Sequence, residues 1–271
     1  MLVNVDGNLM EKKAAVVPAA FPGVFYGHGL FETILVQDGR PRFLKEHFDR
    51  LYISLPTVGL FLKKDRGSLE KDLHNTIVAN GVNNGSAKIT VCKMENNLDC
   101  HTIITVKDSI PYSKIDYEKG FKLITVEYKN NPYSKVTYVK SCNYLDNILA
   151  RQEAKQKGGD EGLILNVHGQ VAEGTVSNIF MVKEKKLYTP PINTGLLPGI
   201  VRQILLRESK NMRYPLSEKV LSYNELINAD EVFITNSLLG IMPVIEIDGS
   251  PISSGMPGNI TKELILYYKD I

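Results

Sequence analysis

Residues 163–189 read LILNVHGQVAEGTVSNIFMVKEKKLYT, and this stretch decides the fold class. Four short apolar runs, Leu163 to Val167, Val171 to Glu173, Ile179 to Lys183 and Leu187 to Thr189, follow one another at close intervals. Runs this short, rich in Ile, Val and Leu and separated by Gly and polar residues, read as strands. Toward the C-terminus, Pro198-Gly199 opens a helix running to about Ser209. Ser222 with Glu225 forms a capping-box pattern, and Glu231 to Thr235 reads as a strand. Toward the N-terminus, Asn143 to Lys155 reads as a helix ended by Gly158-Gly159, while Lys122 to Val126 and Val136 to Lys140 look like strands. Mixed short strands with intervening helices predict an α+β (mixed α/β), barrel-like domain over residues 121–271.

The first hundred residues alternate strand and helix signals. Leu2 to Val5 reads as a strand entering a turn at Asp6-Gly7. Phe31 to Val36, Asp38-Gly39 and Arg42 to Leu44 read as a hairpin, because Asp-Gly supplies the positive dihedrals such a turn needs. Lys45 to Leu55 carries Phe48, Leu51, Tyr52 and Leu55 at helical spacing. Ser68 to Ile77 is a second helix, with Ser68 as its cap and Leu69, Leu73 and Ile77 on one side. Ala87 to Met94 and His101 to Val106 read as paired strands. The stretch from Lys107 to Gly120 has Pro111, several charges and no sustained period. Residues 111–120 are therefore the expected linker after an N-terminal domain of residues 1–110.

Composition narrows the function classes. A chain of 271 residues fits one large domain or two modest ones, and 43% hydrophobic content is ordinary for a globular protein. No run of about 18 apolar residues occurs, so no membrane span is expected. The N-terminus reads as the first strand of the mature fold rather than a signal peptide. Net charge is +2 with basic and acidic residues interspersed, which leaves no footprint for nucleic acid. Cys92, Cys100 and Cys142 match no zinc or thioredoxin spacing and read as reduced thiols of a cytoplasmic protein. The five histidines stand far apart, and no metal site is expected.

Four segments could carry chemistry, with Arg50 beside them. Lys140, flanked by Val139 and Ser141, could project into a cleft, although a lysine ending a strand is ordinarily solvated. Glu173 ends an apolar run, and Gly174 permits a sharp turn beside it. A carboxylate held there could keep a ring nitrogen protonated; its bland reading is a strand-end glutamate in water. Gly199 precedes a helix whose first amides, at Ile200 and Val201, would suit a phosphate. Most Pro-Gly helix starts bind nothing. Arg50 could add a forked contact to that phosphate or be an ordinary helix-surface arginine. Thr235-Asn236-Ser237 offers a hydroxyl and loop amides after a strand.

Taken in order, these segments resemble the fold-type IV pyridoxal-phosphate enzymes, the class IV aminotransferases. The resemblance runs through Tyr26 to Thr33, Glu46 to Leu51, Lys140 to Leu145, Ala150 with Glu153-Ala154, Glu173 to Phe180, Thr189 to Pro191, Leu196 to Arg202, and Ala229 to Phe233. It implies a smaller N-terminal α/β sandwich, a larger C-terminal pseudo-barrel, a homodimer, and pyridoxal 5'-phosphate near the domain junction. Lys140 would hold the cofactor as a Schiff base and then act as the base at the substrate carbon, its pKa lowered from about 10.4 by partial burial and the cationic cofactor. Glu173 would pair with the pyridine nitrogen, and Tyr144 would bond the ring hydroxyl. Arg50, the Ile200 and Val201 amides, and Ser237 would hold the phosphate, and Asn178 would join the cofactor contacts. Val201 stands where many relatives carry Thr, so that hydroxyl is missing.

The substrate would be a small amine or amino acid, with Phe31 and Lys88 on its side. Thr33, the 194–199 stretch and the 235–241 stretch are similar to 4-amino-4-deoxychorismate lyases. Branched-chain transaminases usually have Gly at position 33 and a Gly-Thr pair at 236–237. Phe31 differs from the Tyr usual in D-amino acid transaminases. Against the lyase, Lys88, followed by Cys92, Lys93, Met94 and Glu95, stands near the place of the arginine and Gly-containing loop those lyases often have, and lysine lacks the forked geometry. The lyase reading leads, a transaminase follows, and a cofactor-binding protein with little turnover or a purely structural protein remain.

Overall fold

A computed structural model describes residues 1–16, 21–94 and 100–271. The chain divides into two units, Met1–Pro111 with Val139–Tyr144, and Tyr112–Tyr138 with Leu145–Ile271. The division differs from a single cut at residues 111–120, because residues 139–144 return to the first unit.

The first unit contains β1 (Leu2–Val5), β2 (Asn8–Glu11), α1 (Pro22–Phe25), β3 (Gly29–Gln37), β4 (Arg40–Pro41), α2 (Leu44–Ser54), α3 (Arg66–Ala79), β5 (Gly85–Lys93) and β6 (Cys100–Lys107). Its sheet runs β2-β1-β6-β5-β3-β4 with every pairing antiparallel. Asp38 and Gly39 both have positive φ, 51° and 71°, which matches the hairpin twist. The return strand is Arg40–Pro41 rather than Arg42 to Leu44, because Phe43 adopts a left-handed φ of 53° that turns the chain into α2. The alternation along β3 is the organising fact. Leu30, Ile34 and Val36 pack with Ala87, Ile89 and Val91 of β5, with Phe48 and Leu51 of α2, and with Leu69, Leu73 and Ile77 of α3. Truncating any of the buried Leu or Ile side chains among these to Ala costs about 2–5 kcal/mol. Phe31 and Thr33 point the other way, opposite Thr90 and Lys88 in register. Helix α3 is capped by Asp65, which accepts from Ser68 N–H at 2.9 Å; Ser68 is inside the helix, a correction to its reading as the cap.

The second unit contains α4 (Lys114–Lys119), β7 (Phe121–Asn130), α5 (Leu145–Gln156), β8 (Glu161–Asn166), β9 (Val171–Gly174), β10 (Asn178–Lys183), β11 (Lys186–Thr189), α6 (Ile200–Glu208), β12 (Leu216–Glu218), α7 (Tyr223–Ile227), β13 (Glu231–Asn236), β14 (Gly240–Ile247), β15 (Ser250–Pro251) and α8 (Asn259–Asp270). Its sheet runs β12-β11-β10-β13-β14-β7-β8-β9, with β15 on β14. The pairs β11/β12, β14/β7 and β7/β8 are parallel, which makes the unit mixed α/β. Ile179 and Met181 of β10 join Val232 and Ile234 of β13 in the core, while Phe180 and Phe233, paired in register, stack at 4.8 Å on the opposite face. Within the expected linker, Ser113 and Asp116 form a capping box that starts α4.

Two local expectations are corrected. Val136 to Lys140 is not a strand: Lys135–Tyr138 is a 3-10 turn, because the Tyr138 hydroxyl donates to Pro132 O at 2.6 Å and Thr137 Oγ1 to Asn131 O at 2.9 Å. Helix α5 starts at Leu145 rather than Asn143, since Asn143 N–H and side chain are both engaged with Ser141 Oγ. Among the described residues, no helix is long and apolar enough to cross a membrane, and no group of three or more His, Cys, Asp or Glu is arranged to hold a metal. The three cysteines are free thiols.

Candidate active site

In the first unit, Val139 is buried in the core and anchors the segment that follows. Lys140 O accepts from Phe31 N–H at 2.9 Å, Cys142 N–H donates to Gly29 O at 2.9 Å, and Ser141 bridges Leu30. The Lys140 segment is thus an added rung on the open edge of β3. Asn143 Nδ2 ties it further to Gly27 O at 3.2 Å. Gly29 is required by close approach: a Cβ there would lie 2.8 Å from Val91 O and 3.1 Å from Cys142 Sγ.

This docking gathers four of the sequence-predicted residues around one ring. Lys140 Nζ lies 4.5 Å from the Phe31 ring centroid and Lys88 Nζ lies 4.3 Å from it. Tyr144 meets the same ring edge-on at 5.4 Å. Attraction of ammonium groups to an aromatic ring holds both lysines to this face. Glu95 lies outside the described residues.

Behind Phe31, the neighbouring Glu32 points into the core. Its carboxylate accepts from Arg50 Nε at 2.8 Å and Nη2 at 2.6 Å, and from His47 Nδ1 at 2.6 Å. Burial alone would push the Glu32 pKa up, but the Arg50 charge and the bonds from His47 and Arg50 hold it at about 2. Burial keeps His47 below its ordinary value, so the imidazole donates Nδ1–H as a neutral ring and the charge partner is Arg50. Two of the Arg50 N–H donors therefore face Glu32, which fixes where the rest of the guanidinium points. The sequence reading passed over Glu32 and His47. The signal was present, since Glu32 alternates with Phe31 on the strand and His47 and Arg50 stand three apart on a helix.

In the second unit, Glu173 lies one residue before the end of β9 and is buried. Its Oε1 accepts from Asn130 Nδ2 at 2.9 Å, and its Oε2 from Leu197 N–H at 3.1 Å and Asn178 Nδ2 at 3.3 Å. These three neutral donors orient the carboxylate without neutralising it. Asn130 also donates to Gly195 O and Asn178 to Leu197 O, so both amides fasten Glu173 to the segment leading into α6. Asn130 was not singled out from sequence; it closes β7 beside Asn131-Pro132.

Helix α6 begins with no side-chain cap and no acidic residue in its first turn. A Cβ at Gly199 would lie 2.0 Å from Asn178 Oδ1, so only glycine allows Asn178 this close. Ile200 and Val201 follow, both buried. At the end of β13, Asn236 Oδ1 accepts from Leu238 and Leu239 N–H at 2.9 Å, and its Nδ2 donates to Val176 O at 3.1 Å. Ser237 lies inside the loop so held.

Residues 29–247 match the model of the amino-transferase class IV family. The chain belongs to the class IV aminotransferases. It is 34% identical over 279 residues to a provisionally named branched-chain-amino-acid aminotransferase of Methanocaldococcus jannaschii, covering 100% of this chain and 96% of that one. It is 30% identical to a D-alanine aminotransferase of Bacillus licheniformis, covering 97% and 94%. The crystal structure of 4-amino-4-deoxychorismate lyase from Pseudomonas aeruginosa superposes with a TM-score of 0.88 at 30% identity, covering 99% and 98%. This class IV protein is an enzyme, and pyridoxal 5'-phosphate is the cofactor of its family. The residues fit that group on two counts: an uncapped helix start whose approach is kept clear by a required glycine, and a buried carboxylate set by neutral amides.

Proposed function

We propose that this enzyme is a 4-amino-4-deoxychorismate lyase, releasing p-aminobenzoate and pyruvate. Asn236 carries the reading. Its side chain takes two loop amides and one carbonyl, a locked Asn-Ser-Leu-Leu turn where the resemblance gives branched-chain transaminases a Gly-Thr pair. Thr33 on the Phe31 face of β3 agrees with it.

The cofactor, when bound, supplies an electron-accepting ring that acidifies the carbon next to the substrate nitrogen. Lys140 would hold it covalently and, once its amine is free, would serve as the base for the proton on that carbon. Glu173 would keep a proton on the ring nitrogen, and Tyr144 would donate to the ring hydroxyl oxygen. As the family resemblance implies, Arg50, the amides of Ile200 and Val201, and Ser237 would hold the phosphate, while Asn178 keeps Glu173 in line. Phe31 and Lys88 face the substrate, Lys88 supplying positive charge for a carboxylate. The C–O bond to the enolpyruvyl group would then break, and the departing enolate would take a proton on carbon to become pyruvate. No water is consumed.

Transamination of a small amino acid is the second reading, favoured by the 34% and 30% identities to aminotransferases. A product assay with 4-amino-4-deoxychorismate, beside branched-chain amino acids with 2-oxoglutarate, decides between them. p-Aminobenzoate supports the lyase; keto acid alone sinks it. Lys140→Ala abolishes either activity, and full turnover in that variant contradicts the assignment of Lys140. We also propose a cytoplasmic homodimer. Exposed Val24, Phe25 and Tyr26 in the first unit, and Leu145, Ile148 and Leu149 in the second, supply apolar surface for it. Sedimentation at the monomer mass refutes the dimer.

A further inference from the structure

Glu161 opens β8 and is 1% exposed, yet none of the roles above uses it. Its Oε1 accepts three donors: Gly162 N–H at 2.9 Å, Thr175 N–H at 2.9 Å, and the Thr175 hydroxyl. The carbonyl of Thr175 in turn accepts from Asn147 Nδ2 of α5 at 2.9 Å. Every polar group of Thr175 is therefore held. One turn along the helix from Asn147, Arg151 acts on the Glu161 carboxylate through its charge, and Arg151 Nε is buried with no hydrogen-bond partner.

Thr175 sits in the turn joining Glu173 to Asn178, closed by Gly174 N–H on Ser177 O at 2.6 Å. Both ends of that turn bear on one carboxylate, because Asn178 Nδ2 reaches Glu173 Oε2 at 3.3 Å. That bond is already long, so a shift of a few tenths of an ångström in the turn loses it. A single oxygen taking three donors is better served by a charged carboxylate than by a neutral amide, because hydrogen bonds to an ionised acceptor are roughly twice as strong. Burying that charge is costly and pushes the Glu161 pKa up. A glutamine would fill the same space without the cost.

We propose that Glu161 is a positioning residue for the ring-nitrogen carboxylate, acting through Thr175 to set the angle at which Glu173 is presented. The inference rests on the reading that Glu173 pairs with the cofactor ring nitrogen. In this proposal Glu161 and Thr175 act on the ring-nitrogen carboxylate indirectly. They fix the turn from which Glu173 and Asn178 emerge, and a slack turn leaves the proton on the ring nitrogen less firmly held.

The test uses the holoenzymes of Glu161→Gln, Thr175→Val, Thr175→Ser and Glu173→Gln, reading kcat, KM and the pH titration of the bound cofactor's visible absorbance. Glu161→Gln and Thr175→Val lower kcat about tenfold, leave KM within about twofold, and move the titration midpoint. Thr175→Ser, which restores the hydroxyl, restores both. If Glu161→Gln does not fold, Thr175→Val and its serine rescue decide alone. Loss of thermal stability in Thr175→Val with an unmoved titration and kcat overturns the inference and leaves a purely structural clamp. If Glu173→Gln itself leaves kcat and titration unchanged, the assignment of Glu173 fails instead.

Discussion

Glu32→Gln isolates the buried pair behind Phe31. The carboxylate sits at about 2 against an ordinary 4.5. That difference is worth about 3 kcal/mol of folding free energy, because each pKa unit of differential interaction is about 1.4 kcal/mol. The sign follows from the depressed value. The contribution is fully present above the unfolded pKa and is lost as pH falls from about 4.5 toward 2. Replacing Glu32 by Gln leaves Arg50 buried without its countercharge, so at neutral pH the variant is less stable by about 3 kcal/mol, the low end of the range for removing one partner of a buried pair. At about pH 3.5 the wild type has itself lost roughly 1.5 kcal/mol of this term, and the gap between the two proteins narrows by that amount. Urea denaturation of the cofactor-free proteins at both pH values measures it, followed by circular dichroism and by the fluorescence of 13 tyrosines, the chain having no tryptophan. A gap that stays constant with pH, or one below about 1 kcal/mol at neutral pH, refutes the account of Glu32.

Gly29→Ala places a methyl 2.8 Å from Val91 O and 3.1 Å from Cys142 Sγ, so β3 must move from β5 and Cys142 must shift, which disturbs the Lys140 segment docked on β3. The expected result is a folded protein with kcat down at least about tenfold, by steady-state assay with circular dichroism as the control. Val201→Thr adds a hydroxyl at a 1%-exposed position in the first turn of α6. Cofactor affinity rises about tenfold by equilibrium titration, while the cofactor-free protein loses about 1 kcal/mol for the unsatisfied hydroxyl. Ser222→Ala removes the capping box that starts α7, with Ser222 Oγ accepting from Glu225 N–H at 3.2 Å, and costs about 1 kcal/mol by urea denaturation with activity unchanged.

Where a local pattern carries its own cause, the sequence was readable. Asp38-Gly39 makes its turn through dihedrals that those residues adopt readily, and Ser222 with Glu225 caps a helix by bonds within four residues. Residues 136–140 misled, because alternating Val, Tyr and Lys imitate a strand while Thr137 and Tyr138 bond back to the Asn131-Pro132 turn. β14 carries Pro243 in mid-run, yet it pairs with Phe233 in register, a placement decided by β13 across the sheet. For the chemistry, Lys140 and Glu173 could be named from the resemblance. Asn130, which steadies Glu173 from 43 positions away, could not, since nothing near it in the chain distinguishes it from any other asparagine at a strand's end.

The backbone leaves the first unit at residue 111, spends residues 112–138 in the second, and returns only for 139–144. A ribosome emitting this chain exposes all of β1 to β6 before the rung that covers the start of β3 exists. Until position 144 emerges, Gly29 to Phe31 present an unpaired strand edge, the kind of surface that invites pairing with another nascent chain. No continuous fragment ending near residue 110 contains the whole first unit. Lys140, the residue proposed to hold the cofactor, is also part of the last piece that finishes it.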